Sequence, residues 1–217
     1  MTGFDIANML GALLIITSVL VLLAKSPKKA AGFYSVQSLI LVGIFLALAT
    51  ATGSHELTTW AGTAFVMKVI LVPAMVIFAC KKMGDAGADL SPKVGAAKLL
   101  VIIAIEILVC FVAVHGIQLP TAQAAMPLLA ISAAHFFIGL TCIASQRNIV
   151  KQIFGYCLME NGAHLTLALL APKAPELVEI GITTDAFFAV IIMLVVVSQI
   201  YKETKSLDAD DLTELKG

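Results

Sequence analysis

The chain has 217 residues and a formal net charge of zero, with 60% hydrophobic and 13% charged residues. Its mean hydropathy is +1.01. Soluble domains carry about 25% charged residues, so this composition excludes an ordinary soluble protein and indicates a membrane protein. It also argues against nucleic-acid binding, because no basic patch lies away from the ends of the apolar stretches.

The four cysteines all lie in apolar stretches, and none forms a C-x-x-C pair. This pattern favours packed thiols over an iron–sulfur cluster or a structural zinc site. The sequence also has no nucleotide-binding loop and no nucleophile–base arrangement. It therefore predicts a chain that holds no metal or cofactor and performs no catalysis by itself.

Seven apolar stretches are each close to the 20 residues that a helix needs to cross a bilayer. They cover residues 6–24, 31–53, 59–80, 96–117, 125–145, 149–171 and 179–201. The stretches are continuously apolar rather than alternating, which disfavours a β-barrel. The sequence therefore predicts an all-α polytopic membrane protein with seven transmembrane helices.

Basic residues in the connecting segments predict the orientation of these helices. Twelve lysine and arginine residues fall on one side of the predicted membrane, whereas Lys173 falls on the other and Lys68 lies within it. The positive-inside rule then places the C-terminus in the cytoplasm and the N-terminus outside. An odd number of spans agrees with that orientation.

The first and last thirds of the chain align without a gap when they are shifted by 122 residues, so that Lys25 meets Arg147. The first three helices and the last three run in the same order of directions. This predicts two parallel three-helix repeats. They cover residues 1–94 and 125–217, and residues 95–124 form one linking helix between them.

Three stretches in the middle of the chain each contain an ionisable residue. Lys68 lies halfway along the third stretch, and Pro73 is expected to kink the helix beside it. At that depth the ammonium group needs a buried acid, which is either Glu106 in the fourth stretch or a residue of another subunit. His135 in the fifth stretch is either a relay residue or a hydrogen-bonded core histidine.

The sixth stretch places Glu160 near its centre, where a charge costs at least about 2.5–3.5 kcal/mol. Tyr156, Glu160 and His164 are four residues apart and share one helix face, with Asn161 beside them. A carboxylate and an imidazole one turn apart can pass a proton along the helix axis. The pattern predicts a relay at Glu160 and His164, supported by Tyr156 and Asn161. The alternative is a polar cluster that only holds helices together.

Asp185 opens the seventh helix, within about two turns of the outer surface. An acid that interacts with the helix dipole is the alternative to a relay role at this position. The sequence therefore predicts two protonatable carboxylates, Glu160 and Asp185. The residues that would assist them are His164, Lys68, Glu106 and His135.

Residues 146–171 resemble the middle helix of subunit K of respiratory complex I. The run QRNIVKQIFGYCLMENGAHLTLALLA carries that family's asparagine and glycine positions at Asn148, Gly155 and Asn161. The family's first membrane glutamate falls on Cys157 of this chain. Glu160 lies one turn further along nearly the same face, so the resemblance implies that it replaces that carboxylate at a shifted depth.

The last helix and the ending DLTELKG also resemble subunit K, and Asp185 lies where that family has its second membrane glutamate. The resemblance covers about residues 125–217. The whole chain, with four additional N-terminal helices, is similar to the component E family of hydrogenase-4 and formate hydrogenlyase membrane complexes. Pieces that resemble subunit K also occur in a small membrane subunit of multisubunit cation/proton antiporters.

The resemblance implies a non-catalytic subunit of an energy-converting group-4 nickel–iron hydrogenase or related complex, in a prokaryotic cytoplasmic membrane. It would lie between antiporter-like subunits and the subunit that anchors the catalytic arm, and the nickel–iron and iron–sulfur centres would lie in partner subunits. Its carboxylates would contribute to a path for protons or sodium ions. A cation/proton antiporter subunit, a purely structural spacer and a stand-alone transporter remain open as alternatives.

Overall fold

The computed structural model describes residues 2–84, 92–117 and 123–211. Within these ranges every regular element is helical. The elements are α1 (Gly3–Leu23), α2 (Pro27–Thr52), α3 (Glu56–Ala64), a π-helix (Phe65–Leu71), α4 (Val72–Lys82), α5 (Ala96–His115), a 3₁₀ turn (Gln123–Ala125), α6 (Met126–Ser145), α7 (Ile149–Leu170) and α8 (Glu176–Thr204). Most of the ending DLTELKG lies outside the described residues.

Six helices in the described part of the chain are long and apolar enough to cross a membrane. They are Gly3–Leu23, Pro27–Thr52, Glu56–Lys82, Ala96–His115, Gln123–Ser145 and Glu176–Thr204. The remaining long helix, α7, has 22 residues and is largely buried among the others. It is less apolar because it carries Lys151, Glu160, Asn161 and His164. The predicted all-α class is confirmed, whereas the orientation, the repeat and the division into three units stay predictions.

Side chains at the helix ends satisfy backbone groups that the helices leave unpaired. The Ser26 hydroxyl accepts from the amide of Lys29, and Pro27 follows as the first residue of α2. This cap starts α2 four residues before the predicted stretch. The helix ends at Gly53, whose φ of 64° places it in the left-handed region that glycine adopts without strain.

Glycines bring α6 and α7 into close contact. A Cβ atom at Gly139 would lie 2.3 Å from the amide nitrogen of Met159. A Cβ atom at Gly162 would lie 2.5 Å from the amide nitrogen of Phe136, so side chains are excluded at both crossings. Small residues of this kind allow membrane helices to approach closely. The contact fixes α7, which carries half of the predicted site residues, against α6.

The helix that contains Lys68 widens into π-helical turns at Phe65–Leu71, just before Pro73. Proline lacks an amide hydrogen, and its ring clashes with the carbonyl group four residues earlier, here that of Val69. Wider turns accommodate this clash. The irregularity predicted from Pro73 therefore takes the form of a π-helix, with Lys68 inside it.

The segment after α8 packs against the loop between α6 and α7. The amide of Ile149 donates to the carbonyl of Leu207, and the amide of Ala209 donates to the carbonyl of Arg147. Arg147 also donates to Oδ2 of Asp210 through Nε at 3.0 Å and Nη2 at 2.8 Å. Lys93 donates to Oδ1 of the same carboxylate. Backbone and ionic contacts thus hold the segment to the end of the bundle.

Candidate functional site

Lys68 lies at the centre of a buried polar cluster. Its Nζ donates to the two carboxylate oxygens of Glu160, at 2.9 and 2.7 Å. The side chains of Lys68 and Glu160 are only 3% and 12% exposed. The acid that the sequence required for Lys68 is therefore Glu160. The suggested pairing with Glu106 was wrong.

His164 is the next member of this cluster. Its Nδ1 lies 2.8 Å from Nζ of Lys68. An ammonium group has only donors, so Nδ1 must carry a lone pair and the ring proton is assigned to Nε2. Nε2 contacts Oε2 of Glu179. The imidazole thus links Lys68 to a second carboxylate.

Glu179 is fully buried in the first turns of α8, and the sequence analysis missed it. Its Oε1 accepts from the hydroxyls of Thr63 and Thr183, both at 2.7 Å, and its Oε2 faces His164. Acidic residues are common in the first turns of helices, so its position alone did not mark Glu179 as a site residue. The signal that could have found it is the pair Glu179 and Thr183, four residues apart on one face.

Aromatic rings enclose the imidazole of His164. The Phe45 ring lies 4.9 Å from it, centroid to centroid, and the Trp60 ring lies 5.2 Å from it. Both aromatic side chains are fully buried. The rings hold the imidazole in place between Lys68 and Glu179, and they shield it from lipid.

His135 belongs to a second buried chain of polar contacts. Its Nδ1 lies 2.8 Å from the hydroxyl of Ser18, which itself donates to the Leu14 carbonyl. Its Nε2 lies 3.0 Å from the amide nitrogen of Gln37. These contacts assign the proton to Nδ1 and give a neutral, hydrogen-bonded histidine. A relay role for His135 stays a prediction.

Gln37 joins this second chain to α7, and the sequence analysis missed it too. Its Oε1 accepts from Nδ2 of Asn161 at 3.0 Å. Asn161 thus supports the chain that contains His135 rather than a contact with Glu160. Tyr156 does lie beside the acid, because it lines a small cavity together with Tyr34, Lys68 and Glu160.

The structure places Glu106 and Asp185 outside both networks of polar contacts, that of Lys68 and that of His135. Glu106 accepts from the hydroxyl of Thr141, so its partner lies in α6. Asp185 is exposed on α8. Residues 2–84, 92–117 and 123–211 contain no group of three His, Cys, Asp or Glu side chains placed to hold a metal ion.

These features define a helical membrane protein with ionisable side chains paired in its interior. The chain belongs to the hydrogenase-4 component E family. It is 46% identical over 217 residues to Hydrogenase-4 component E of Escherichia coli strain K12, and equally so to that of Shigella flexneri, with all of each chain covered. It is 23% identical over 205 residues to an uncharacterized protein of Mycobacterium tuberculosis. That alignment covers 94% of this chain and 92% of the other protein.

A model of one further family matches part of the chain. The family is NADH-ubiquinone/plastoquinone oxidoreductase chain 4L, and the match covers residues 127–217. The resemblance of the C-terminal part to complex I and that of the whole chain to component E are both confirmed. No solved structure matches this chain.

Proposed function

We propose that this chain is a non-catalytic membrane subunit of an energy-converting group-4 nickel–iron hydrogenase complex, and that it contributes buried carboxylates to an ion path. The path would carry protons or sodium ions and would be coupled to redox chemistry in partner subunits, which would hold the nickel–iron and iron–sulfur centres. Full-length similarity to Hydrogenase-4 component E and the match to chain 4L support the assembly.

The observation that carries the ion path is the buried cluster of Lys68, Glu160 and His164. Removing a Lys–Glu pair from water costs several kcal/mol per ion, and apolar side chains could fill the same volume at no such cost. Ionisable residues inside a membrane therefore mark ion and proton paths more often than packing sites. Lys68 comes from the first predicted repeat and Glu160 from the second, so the cluster fits a site between repeats.

The proposal includes seven spans, with α7 as the sixth, and an N-terminus outside a prokaryotic inner membrane. The connecting lysines and arginines support this orientation, except that Lys151 is buried and donates to the carbonyl of Ala24. It therefore adds nothing to the charge of the cytoplasmic surface. The other basic residues on that side still outnumber Lys173 on the opposite side.

A partner subunit would cover the face of α8 that carries Asp185. Phe188, Ile192 and Val195 are exposed on the same helix, three to four residues apart. A carboxylate among apolar side chains is costly against lipid. An antiporter-like subunit, or the subunit that anchors the catalytic arm, would provide polar groups for it and complete a hetero-oligomer.

Replacing Glu160 by Gln in the intact complex tests the ion path. We expect ion translocation per electron transferred to fall at least about tenfold, because the amide cannot bind a proton or balance Lys68. The measurement is proton or sodium uptake by proteoliposomes during hydrogenase turnover. Glu56→Gln is the control, since it makes the same change in an acid that contacts Ser54 outside the cluster. Unchanged coupling in E160Q would leave a structural spacer as the explanation.

A further inference from the structure

We propose that Glu179 is a second proton-binding site, which exchanges protons with Lys68 and Glu160 through the imidazole of His164. The inference rests on the proposed function and deepens it by assigning the residue that receives the proton. It concerns a side chain that the sequence resemblance does not single out.

The geometry forms one continuous chain of contacts through three helices. Glu160 accepts from Lys68 at 2.7 Å, and Lys68 lies 2.8 Å from Nδ1 of His164. The opposite nitrogen of the same ring contacts Glu179. An imidazole that contacts a proton donor at one nitrogen and a carboxylate at the other can accept a proton on one side and release a proton on the other.

The charges in this cluster leave room for one more proton. Lys68 contacts the carboxylate of Glu160, and His164, which is neutral in this arrangement, lies between Lys68 and the carboxylate of Glu179. Other polar and aromatic side chains packed around the cluster are uncharged at neutral pH, and they include Thr63, Thr183, Phe45, Trp60, Tyr34, Tyr156 and the thiol Cys157. One positive and two negative charges give a net charge of −1 in a buried site. Such a charge is costly, so the site favours proton uptake.

The order of these contacts defines the transfer step. An N–H bond of Lys68 breaks as an N–H bond forms at Nδ1 of His164, and the Nε2–H bond breaks as an O–H bond forms at Oε2 of Glu179. The products are a neutral amine, the other neutral tautomer of the imidazole and a neutral carboxylic acid. A proton that arrives at Glu160 then restores the ammonium group of Lys68. The incoming proton is the only further reactant.

The hydroxyls around Glu179 select the oxygen that accepts the proton. Thr63 and Thr183 both donate to Oε1, which leaves Oε2 towards His164. Glu179 also lies one helical turn from Glu176, which is exposed and accepts from Thr59 at 3.2 Å. Glu179 therefore lies one turn from an exposed acid at the end of the bundle where α8 begins.

The test is Glu179→Gln in the intact complex, with Glu56→Gln as control. Glu56 is an acid near the same end of the bundle, and it pairs with Ser54 outside the cluster. We expect E179Q to lower proton translocation per electron at least about fivefold, and E56Q to leave it within about 20%. E179D, which keeps the proton-binding group, should retain more coupling than E179Q. Normal coupling in E179Q together with loss in E160Q would overturn this inference and leave the proposed function standing.

An infrared measurement separates proton binding from a structural role. Difference spectra of the complex between high and low pH should show a carboxylic acid C=O band that shifts in E179D and is absent in E179Q. If the complex does not assemble with E179Q, the comparison of wild-type and E179D spectra tests whether Glu179 binds the proton. A band shift in E179D supports the inference, and identical spectra overturn it. If neither E160Q nor E179Q changes coupling, the proposed function itself fails.

Discussion

At the scale of single residues, the arrangement of charges in the cluster decides which substitutions the protein tolerates. Lys68 is balanced by Glu160, and both side chains are nearly inaccessible to solvent. Breaking a buried ion pair leaves one charge without a partner, whereas replacing both members removes the cost of burying charge. Single and double substitutions in this pair should therefore differ strongly.

We expect Lys68→Met to lower the free energy of unfolding by about 3–5 kcal/mol, because it leaves the Glu160 carboxylate buried without a cation. The double variant K68M/E160Q should recover most of that loss. Thermal unfolding of the purified protein in detergent measures both. Equal stability of the single and double variants would show that Glu160 is not ionised against Lys68.

At the scale of helices, the sequence predicts spacing within one helix better than partners across helices. The four-residue spacing on α7 grouped Tyr156, Glu160 and His164, and in the structure Lys68 contacts Glu160 and His164 while Tyr156 lines a cavity beside them. Glu179 and Gln37 were missed because their roles depend on how α8 and α2 are rotated against α7. That rotation is set by side-chain packing over several helices, which the pattern of a single helix does not contain.

The close contact between α6 and α7 yields a prediction about glycine. Gly139→Ala should destabilise the protein by about 1–3 kcal/mol, because its Cβ would overlap the backbone of Met159 and force the helices apart. Gly62→Ala is the matched control, since nothing lies within 4 Å of its Cβ position in α3. That control should be neutral or stabilising by up to about 1 kcal/mol. Thermal unfolding midpoints of the two variants measure the contrast, and equal midpoints would contradict the packing described.

At the scale of the whole molecule, the helices enclose polar chains while the ends of the bundle are held by separate contacts. Six of the seven predicted stretches match helices of the described residues that are long and apolar enough to cross a bilayer, so their positions could be predicted from the sequence. The attachment of residues 207–210 to the loop before α7 could not be predicted from the sequence. It depends on Arg147 and Lys93, which are distant in sequence and meet at Asp210.

This attachment depends on pH through the carboxylate of Asp210. Hydrogen bonds from Lys93 and Arg147 lower the pKa of Asp210 below its usual value of 3.8. A lowered pKa means that the contacts stabilise the docked segment at neutral pH and are lost as pH falls through the pKa of the folded state.

In hydrogen exchange at pH 7, Asp210→Asn should speed exchange at the amides of Ile149 and Ala209 about two- to fivefold, because exposed ion pairs contribute modestly. Asp208→Asn should have a smaller effect, since its carboxylate lies 3.9 Å from Arg147. Exchange that is unchanged in D210N would show that the backbone contacts hold the segment without the ion pairs.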